Sequence, residues 1–157
     1  MNHRRTALIA CGALLLTTAL SASDPIVGAW KLNVTKSRMP LTDTALKDQT
    51  EIYRELPGGE VELTFSRTFA NGSSEASKFT WPAQGGAAKI LEGKYPEDSS
   101  FVEIAIKPGE WYVAYMLNGR QLAVMHKLII RDTMRETIRG ADAQGKPIEY
   151  FLILDRK

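Results

Sequence analysis

Apolar and polar residues alternate along most of this chain with a period of two residues. The clearest run is 61–69, where Val61, Leu63, Phe65 and Phe69 fall on one face and polar residues on the other. Successive side chains of a β-strand point to opposite faces, so this pattern predicts a strand. Similar runs predict further strands, and no stretch has a sustained helical period. The predicted strands are 26–32, 49–56, 61–69, 75–81, 88–91, 101–107, 110–117, 120–130, 133–139 and 147–155.

Turn signals separate these runs. Asn-Gly at 71–72 and 118–119 is typical of tight hairpins, because both positions can adopt a positive φ, and Pro-Gly pairs at 57–58 and 108–109 also end strands. Strands joined by hairpins pair in sequence order, and closure of such a meander removes both exposed edges. The sequence therefore predicts an all-β, single antiparallel up-and-down meander of about eight to ten strands, closed into a lipocalin-like barrel. A two-sheet sandwich is the alternative, but it usually needs long crossed connections, of which the chain has few.

The first 23 residues have the features of a cleaved signal peptide. Two arginines at 4–5 precede an apolar run at 6–20, and small residues follow at 21–23. The apolar run is shorter than the roughly 20 residues of a membrane-spanning helix. We therefore expect 1–23 to be removed and 24–157 to form one exported domain, periplasmic or extracellular, without a stable membrane span.

A lipoprotein signal is the alternative for this leader, because Leu-Ile-Ala-Cys at 8–11 has suitable residue types. However, the apolar run continues beyond Cys11, whereas a lipidated cysteine is normally followed by a polar tether. We therefore expect no lipid anchor.

Removal of the leader changes the composition of what remains. The leader carries two of the 20 basic residues and none of the 18 acidic ones, so the remaining domain has no net formal charge. Such a domain has no field that would attract nucleic acid or an anionic membrane surface. Cys11, the only cysteine, leaves with the leader, and His126 is then the only histidine. The composition excludes disulfides, cysteine-ligated zinc and any metal site that needs two histidines, and we expect no metal and no cofactor.

Motifs near both ends of the predicted domain resemble one family. Gly-x-Trp at 28–30 opens the first strand, and Gly-Ala-Asp-Ala-Gln-Gly-Lys-Pro at 140–147 precedes the last. Both are similar to motifs of small exported bacterial lipocalin-like proteins, which belong to the calycin group. The resemblance implies that Gly28 lets the strand bend at one barrel end and that Trp30 plugs that end. It also implies that a basic residue near the last strand, here Arg156, packs over the tryptophan.

Polar residues on apolar strand faces are the candidate binding residues. Arg67 interrupts the apolar face of 61–69, His126 lies on the apolar face of 120–130, and Glu136 lies between apolar neighbours. If these faces line a barrel lumen, Arg67 could bind an acidic head group, with His126 and Glu136 nearby. The alternative is a structural ion pair between Arg67 and Glu136, or a position in water beyond the rim. Buried unpaired charges are costly, so a partner is required if these residues face inward.

Trp81 and Trp111 stand beside predicted turns, where an indole could contact a ligand at the barrel mouth or cap the core. The chain carries no catalytic motif. The favoured function is therefore binding of a small apolar or amphipathic molecule in the barrel. One alternative is a calycin-type isomerase or lyase that uses His126 or Glu136 as a base, which leaves open whether the protein is an enzyme. The other is an envelope interaction module with a packed core, and the oligomeric state is open.

Overall fold

The structure is a computed structural model that describes residues 23–40, 45–141 and 145–157. Its strands are antiparallel and pair in sequence order, and β1 closes the barrel by pairing with both β2 and β10. The predicted all-β up-and-down barrel is thus confirmed. The strands are β1 (Gly28–Leu32), β2 (Leu46–Leu56), β3 (Glu60–Phe69), β4 (Ser74–Pro82), β5 (Gly85–Glu92), β6 (Ser99–Lys107), β7 (Glu110–Leu117), β8 (Arg120–Ile130), β9 (Thr133–Ala141) and β10 (Pro147–Arg156).

Two predictions made from the sequence depend on residues outside these ranges. Residues 1–22 of the predicted leader, including Cys11, are not among the described residues, and neither is the middle of the 140–147 loop. Within the described ranges, no helix is long and apolar enough to cross a membrane.

The hairpins alternate between the two ends of the barrel because neighbouring strands are antiparallel. The turns at 57–59, 83–84, 108–109 and 131–132 share one end with the start of β1. At that end Trp30 is fully buried, and its Nε1 donates a hydrogen bond of 2.8 Å to the carbonyl oxygen of Ile26. Ile26, Met134 and Leu154 are also almost fully buried and belong to the same core. This end, here called the floor, is therefore closed by packed side chains.

Arg156 covers the outer side of the floor. Its guanidinium carbon lies 4.2 Å from the centroid of the Trp30 ring, and its Nη atoms donate to the carbonyl oxygens of Val27 (2.9 Å) and Pro25 (2.6 Å). Gly28 has a φ of +134°, and a Cβ there would lie 2.6 Å from Arg156 Nη1. The backbone conformation therefore favours glycine, and a Cβ would also displace the head group of Arg156.

Candidate ligand-binding site

A cavity of about 380 Å³ lies inside the barrel. Its wall is mainly apolar and aromatic, and volumes of about 300–1,000 Å³ are typical of small-molecule sites. Two of its ring pairs are stacked, Phe65 on Phe79 at 5.9 Å and Phe101 on Tyr115 at 5.0 Å between centroids. The aromatic wall consists of Phe65, Phe79, Tyr95, Phe101, Tyr115 and Tyr150.

A second hollow is lined by residues 39–40, 45–46, 67, 69 and 146–150. It shares Leu46 and Tyr150 with the cavity, and both residues lie toward the end opposite the floor. The cavity thus adjoins this hollow at its outer end, which we call the mouth.

Charged side chains are buried at the inner end of the cavity. Lys127 Nζ lies 2.8 Å from Glu136 Oε1, 3.4 Å from Glu51 Oε2 and 2.5 Å from the Tyr53 hydroxyl. Lys127 is only 5% exposed, Glu51 4% and Glu136 0%, so bulk water solvates none of them well. The three charges must therefore be balanced mainly by one another.

The strand pairing explains why these side chains meet. Lys127 of β8 is directly opposite Glu136 of β9, so both side chains point to the same face. Glu51 on β2 is held by its own strand, because its carboxylate accepts hydrogen bonds from Gln49 Nε2 (2.7 Å) and the Tyr53 hydroxyl (2.5 Å). Glu51 is therefore a well-satisfied carboxylate in a fixed orientation.

Glu136 is less well satisfied. Its contact with Lys127 has the distance of an ion pair but not the angles of a hydrogen bond, and neither carboxylate oxygen has a hydrogen-bond partner in the described part of the chain. Glu103 on β6 also lines the cavity and is 7% exposed. It makes no hydrogen bond or ion pair with any described residue. The inner end thus presents two carboxyl groups without donors.

Burial and mutual repulsion shift the ionisation of this group. Burial, reinforced by the charge of Glu51, raises the pKa of Glu136 to about 7. Burial also raises the pKa of Glu103 to about 7, although Lys127 opposes the shift. Burial lowers the pKa of Lys127, but the carboxylates of Glu136 and Glu51 outweigh this effect, so its pKa is well above the usual value. The lysine is therefore charged at neutral pH, whereas the two glutamates change charge near neutrality.

Arg67 lines the cavity near the mouth, and its carboxylate partner is Glu75 on the adjacent strand. Its guanidinium carbon also lies 5.1 Å from the Phe65 ring centroid and 5.5 Å from that of Phe69. The ion pair between Arg67 and Glu136 considered from the sequence is not formed. The two charges lie at opposite ends of the cavity.

His126 is a correction, because it does not line the cavity. It precedes Lys127, which faces inward, and successive residues of a strand face opposite sides. Its Nε2 lies 3.0 Å from Glu110 Oε1, and its ring stacks on Tyr112 with the centroids 4.5 Å apart. Its side chain is 25% exposed, so the residue belongs to the outer surface of the barrel.

Trp81 and Trp111 are a second correction. Each is 2% exposed, belongs to the same core as Trp30, and does not line the cavity. Trp81 packs edge-on against Tyr53, with centroids 6.2 Å apart. The turns beside both tryptophans were correctly recognised, but alternation of the hairpins places those turns at the floor rather than the mouth.

The sequence interpretation missed most of the inner end. Lys127, Glu51 and Glu103 were not singled out, because each lies in a strand whose other face is the more apolar one. The pairing of Lys127 with Glu136 across β8 and β9 was the available signal for the lysine, once Glu136 had been selected. Among the described residues, no group of three acidic, histidine or cysteine side chains is arranged to hold a metal ion.

Comparison with solved structures shows the fold. The wild-type fluorescent protein UnaG superposes with a TM-score of 0.59 at 14% identity, covering 84% of this chain and 97% of that one. Two point mutants of UnaG give TM-scores of 0.56 and 0.57 at 13% and 12% identity, covering 83% and 84% of this chain and 95% and 96% of theirs. The chain thus shares the closed antiparallel β-barrel fold of UnaG. No protein-family model matches the sequence, and no curated protein matches it.

Proposed function

We propose that this protein binds one small amphipathic molecule inside its barrel. The observation that carries the proposal is the cavity of about 380 Å³, which has an aromatic wall and a buried polar inner end. A barrel of this size either fills with side chains or holds one small ligand. The cavity supports the second arrangement and argues against an interaction module with a packed core.

A fluorescence titration tests this proposal. N-phenyl-1-naphthylamine is neutral and apolar, and its emission increases when it leaves water, so it reports entry into an apolar cavity. We expect saturable binding with one site per chain. If the wild-type protein gives no saturable signal, the binding function is refuted.

A matched pair of variants locates the probe. Val113 lines the cavity, whereas Val102 on the adjacent strand β6 follows the inward-facing Phe101 and points outward. Val113→Phe should reduce probe affinity at least roughly tenfold, because the larger side chain occupies cavity volume. Val102→Phe should leave affinity unchanged. Equal effects of the two variants would place the probe outside the cavity.

An isomerase or lyase is a second candidate, favoured by the pKa values near 7 of Glu103 and Glu136, which suit proton transfer at neutral pH. His126 has no part in this candidate, since it faces outward. A ligand recovered from the protein would be incubated in heavy water with wild type and with Glu136→Gln. Carbon-bound deuterium that appears with wild type only would support catalysis, and its absence with both would leave binding alone.

We also propose that residues 1–23 are removed and that the protein is exported without a lipid anchor. The support is the sequence pattern of the leader alone. Intact-mass measurement of protein from the native envelope or culture medium should give a chain that begins within a residue or two of Asp24. A diacylglycerol adduct on Cys11 would contradict this.

A further inference from the structure

We propose that the inner end of the cavity receives a cationic hydrogen-bond donor, such as the protonated amine of a small arylalkylamine, whose apolar body lies along the aromatic wall. The inference rests on the proposed binding function and names the chemical class of its ligand.

The first argument is the set of acceptors that the protein leaves without donors. Glu136 is fully buried, lines the cavity and accepts no hydrogen bond from a described residue. Glu103 is 7% exposed, and it also lines the cavity without a hydrogen-bond or ion-pair partner in the described chain. Buried acceptors of this kind are normally satisfied. An ammonium group brings three N–H donors and could satisfy both carboxylates.

The second argument is that the cations already have partners. Lys127 Nζ donates hydrogen bonds to the Tyr53 hydroxyl and to Glu51 Oε2, and it forms an ion pair with Glu136. Arg67 near the mouth is paired with Glu75. An anionic head group would have to displace one of these contacts, whereas a donor would not.

The third argument is the charge of the inner end. Strands β2, β6, β8 and β9 supply its ionisable side chains, which are Glu51, Tyr53, Glu103, Lys127 and Glu136. Gln49 of β2 also lines this end and is neutral. Burial raises the pKa of Tyr53 well above its usual value, so the phenol is neutral. With all carboxyl groups ionised, three negative charges face one positive charge. A cation reduces this imbalance, and a carboxylate increases it.

The affinity of the inner end for a protonated amine should depend on pH. Because the pKa values of Glu103 and Glu136 are about 7, both carboxyls are largely protonated well below that pH. A protonated amine must then compete with the protons, and its affinity should fall as the pH decreases through 7. Arg67 also lines the cavity, but it lies near the mouth and is paired with Glu75.

Three naphthyl probes with a common apolar body test the proposal by calorimetric titration of the full chain: 2-(1-naphthyl)ethylamine, 2-(1-naphthyl)ethanol and 1-naphthylacetic acid. At about pH 8.5 the amine should bind roughly ten- to a hundredfold more tightly than the alcohol, as a charge-assisted hydrogen bond predicts. The acid should bind more weakly than the alcohol. At about pH 5.5 the preference for the amine should become small.

Variants then assign the preference to the carboxyl groups. Glu136→Gln and Glu103→Gln should each reduce amine affinity roughly tenfold and leave alcohol affinity almost unchanged. Glu55→Gln is the matched control, because Glu55 is an exposed carboxylate on β2. Far-ultraviolet circular dichroism checks that each variant is folded, and Glu103→Gln decides the question if Glu136→Gln does not fold.

The outcomes separate this inference from the function on which it rests. Equal affinities for amine and alcohol, or tightest binding of the acid, would overturn the inference and leave binding in the cavity intact. The same holds if the two glutamine variants retain the full preference. No binding of any of the three probes, together with no binding of the neutral naphthylamine reporter, would refute the proposed function itself.

Discussion

Replacement of Glu103 by glutamine should stabilise the free protein at alkaline pH. Glutamine has nearly the same shape as glutamic acid but carries no charge, so the substitution isolates the effect of ionisation. Glu103 is suited to this test because it is 7% exposed and has no hydrogen-bond or ion-pair partner among the described residues. Loss of its side-chain charge therefore breaks no contact.

The magnitude follows from the shifted pKa. In the unfolded chain the carboxyl ionises near 4.5, and burial raises the pKa in the folded protein to about 7. A raised folded pKa means that the folded state holds the proton more tightly, so the associated stability is present below pH 4.5 and is lost as the pH rises to about 7. The difference corresponds to about 3 kcal/mol. Glu103→Gln should remove this loss, so the variant should exceed wild type by about 3 kcal/mol at about pH 8.5 and by almost nothing at about pH 4.5.

Urea denaturation at these two pH values and at one between them measures the effect, provided that the slope of free energy against urea is the same for both proteins. Glu55→Gln provides the control, because an exposed carboxylate should change stability by less than about 0.5 kcal/mol at either pH. The reasoning is refuted if the variant and wild type have equal midpoints at high pH. A gain of the same size at both pH values would also refute it, because the effect would then come from packing rather than charge.

Three further substitutions test the packing and charges around the cavity. Trp30→Ala should destabilise the protein by about 3–5 kcal/mol in urea denaturation, as truncation of a fully buried indole does, and a loss below about 1 kcal/mol would contradict the packing of the floor. Lys127→Met should cost about 3–5 kcal/mol at about pH 8.5 because it leaves two buried carboxylates without their cation, and a cost that does not shrink at acidic pH would count against this explanation. Gly28→Ala should lower stability by about 1–3 kcal/mol because of its positive φ and the nearby Arg156, and an unchanged thermal midpoint would show that neither matters.

The strand order could be predicted because local signals determined it. Asn-Gly and Pro-Gly turns set the hairpins, and hairpins leave little freedom in the order of pairing. The weakest prediction was the segment 82–100, which was expected to be irregular apart from a short strand at 88–91, whereas β5 spans Gly85–Glu92. A Cβ at Gly85 would lie 2.8 Å from the carbonyl oxygen of Glu103. This glycine permits close approach of β6 rather than a turn.

The error at His126 could have been detected from the length of one turn. Ile130 pairs with Thr133 across a two-residue connection, and this register pairs Lys127 with Glu136. Side chains of directly paired residues share a face, so His126 must lie on the face opposite Glu136. The two residues could therefore not both face the lumen. The apolar residues beside His126 suggested otherwise.

The inner end of the cavity escaped prediction because the usual rule for orienting a strand fails there. An apolar face is assigned to the interior when the interior is a solid core. On β6, however, Glu103 is 7% exposed, whereas Ile104 and Ile106 on the outer face are 47% and 53% exposed. On β8, Lys127 is 5% exposed and Ile130 is 64% exposed. A strand that buries its charged residues and exposes its apolar ones loses stability by doing so. A polar binding site inside the barrel requires such an inversion. The inversion occurs on the two strands that supply Glu103 and Lys127.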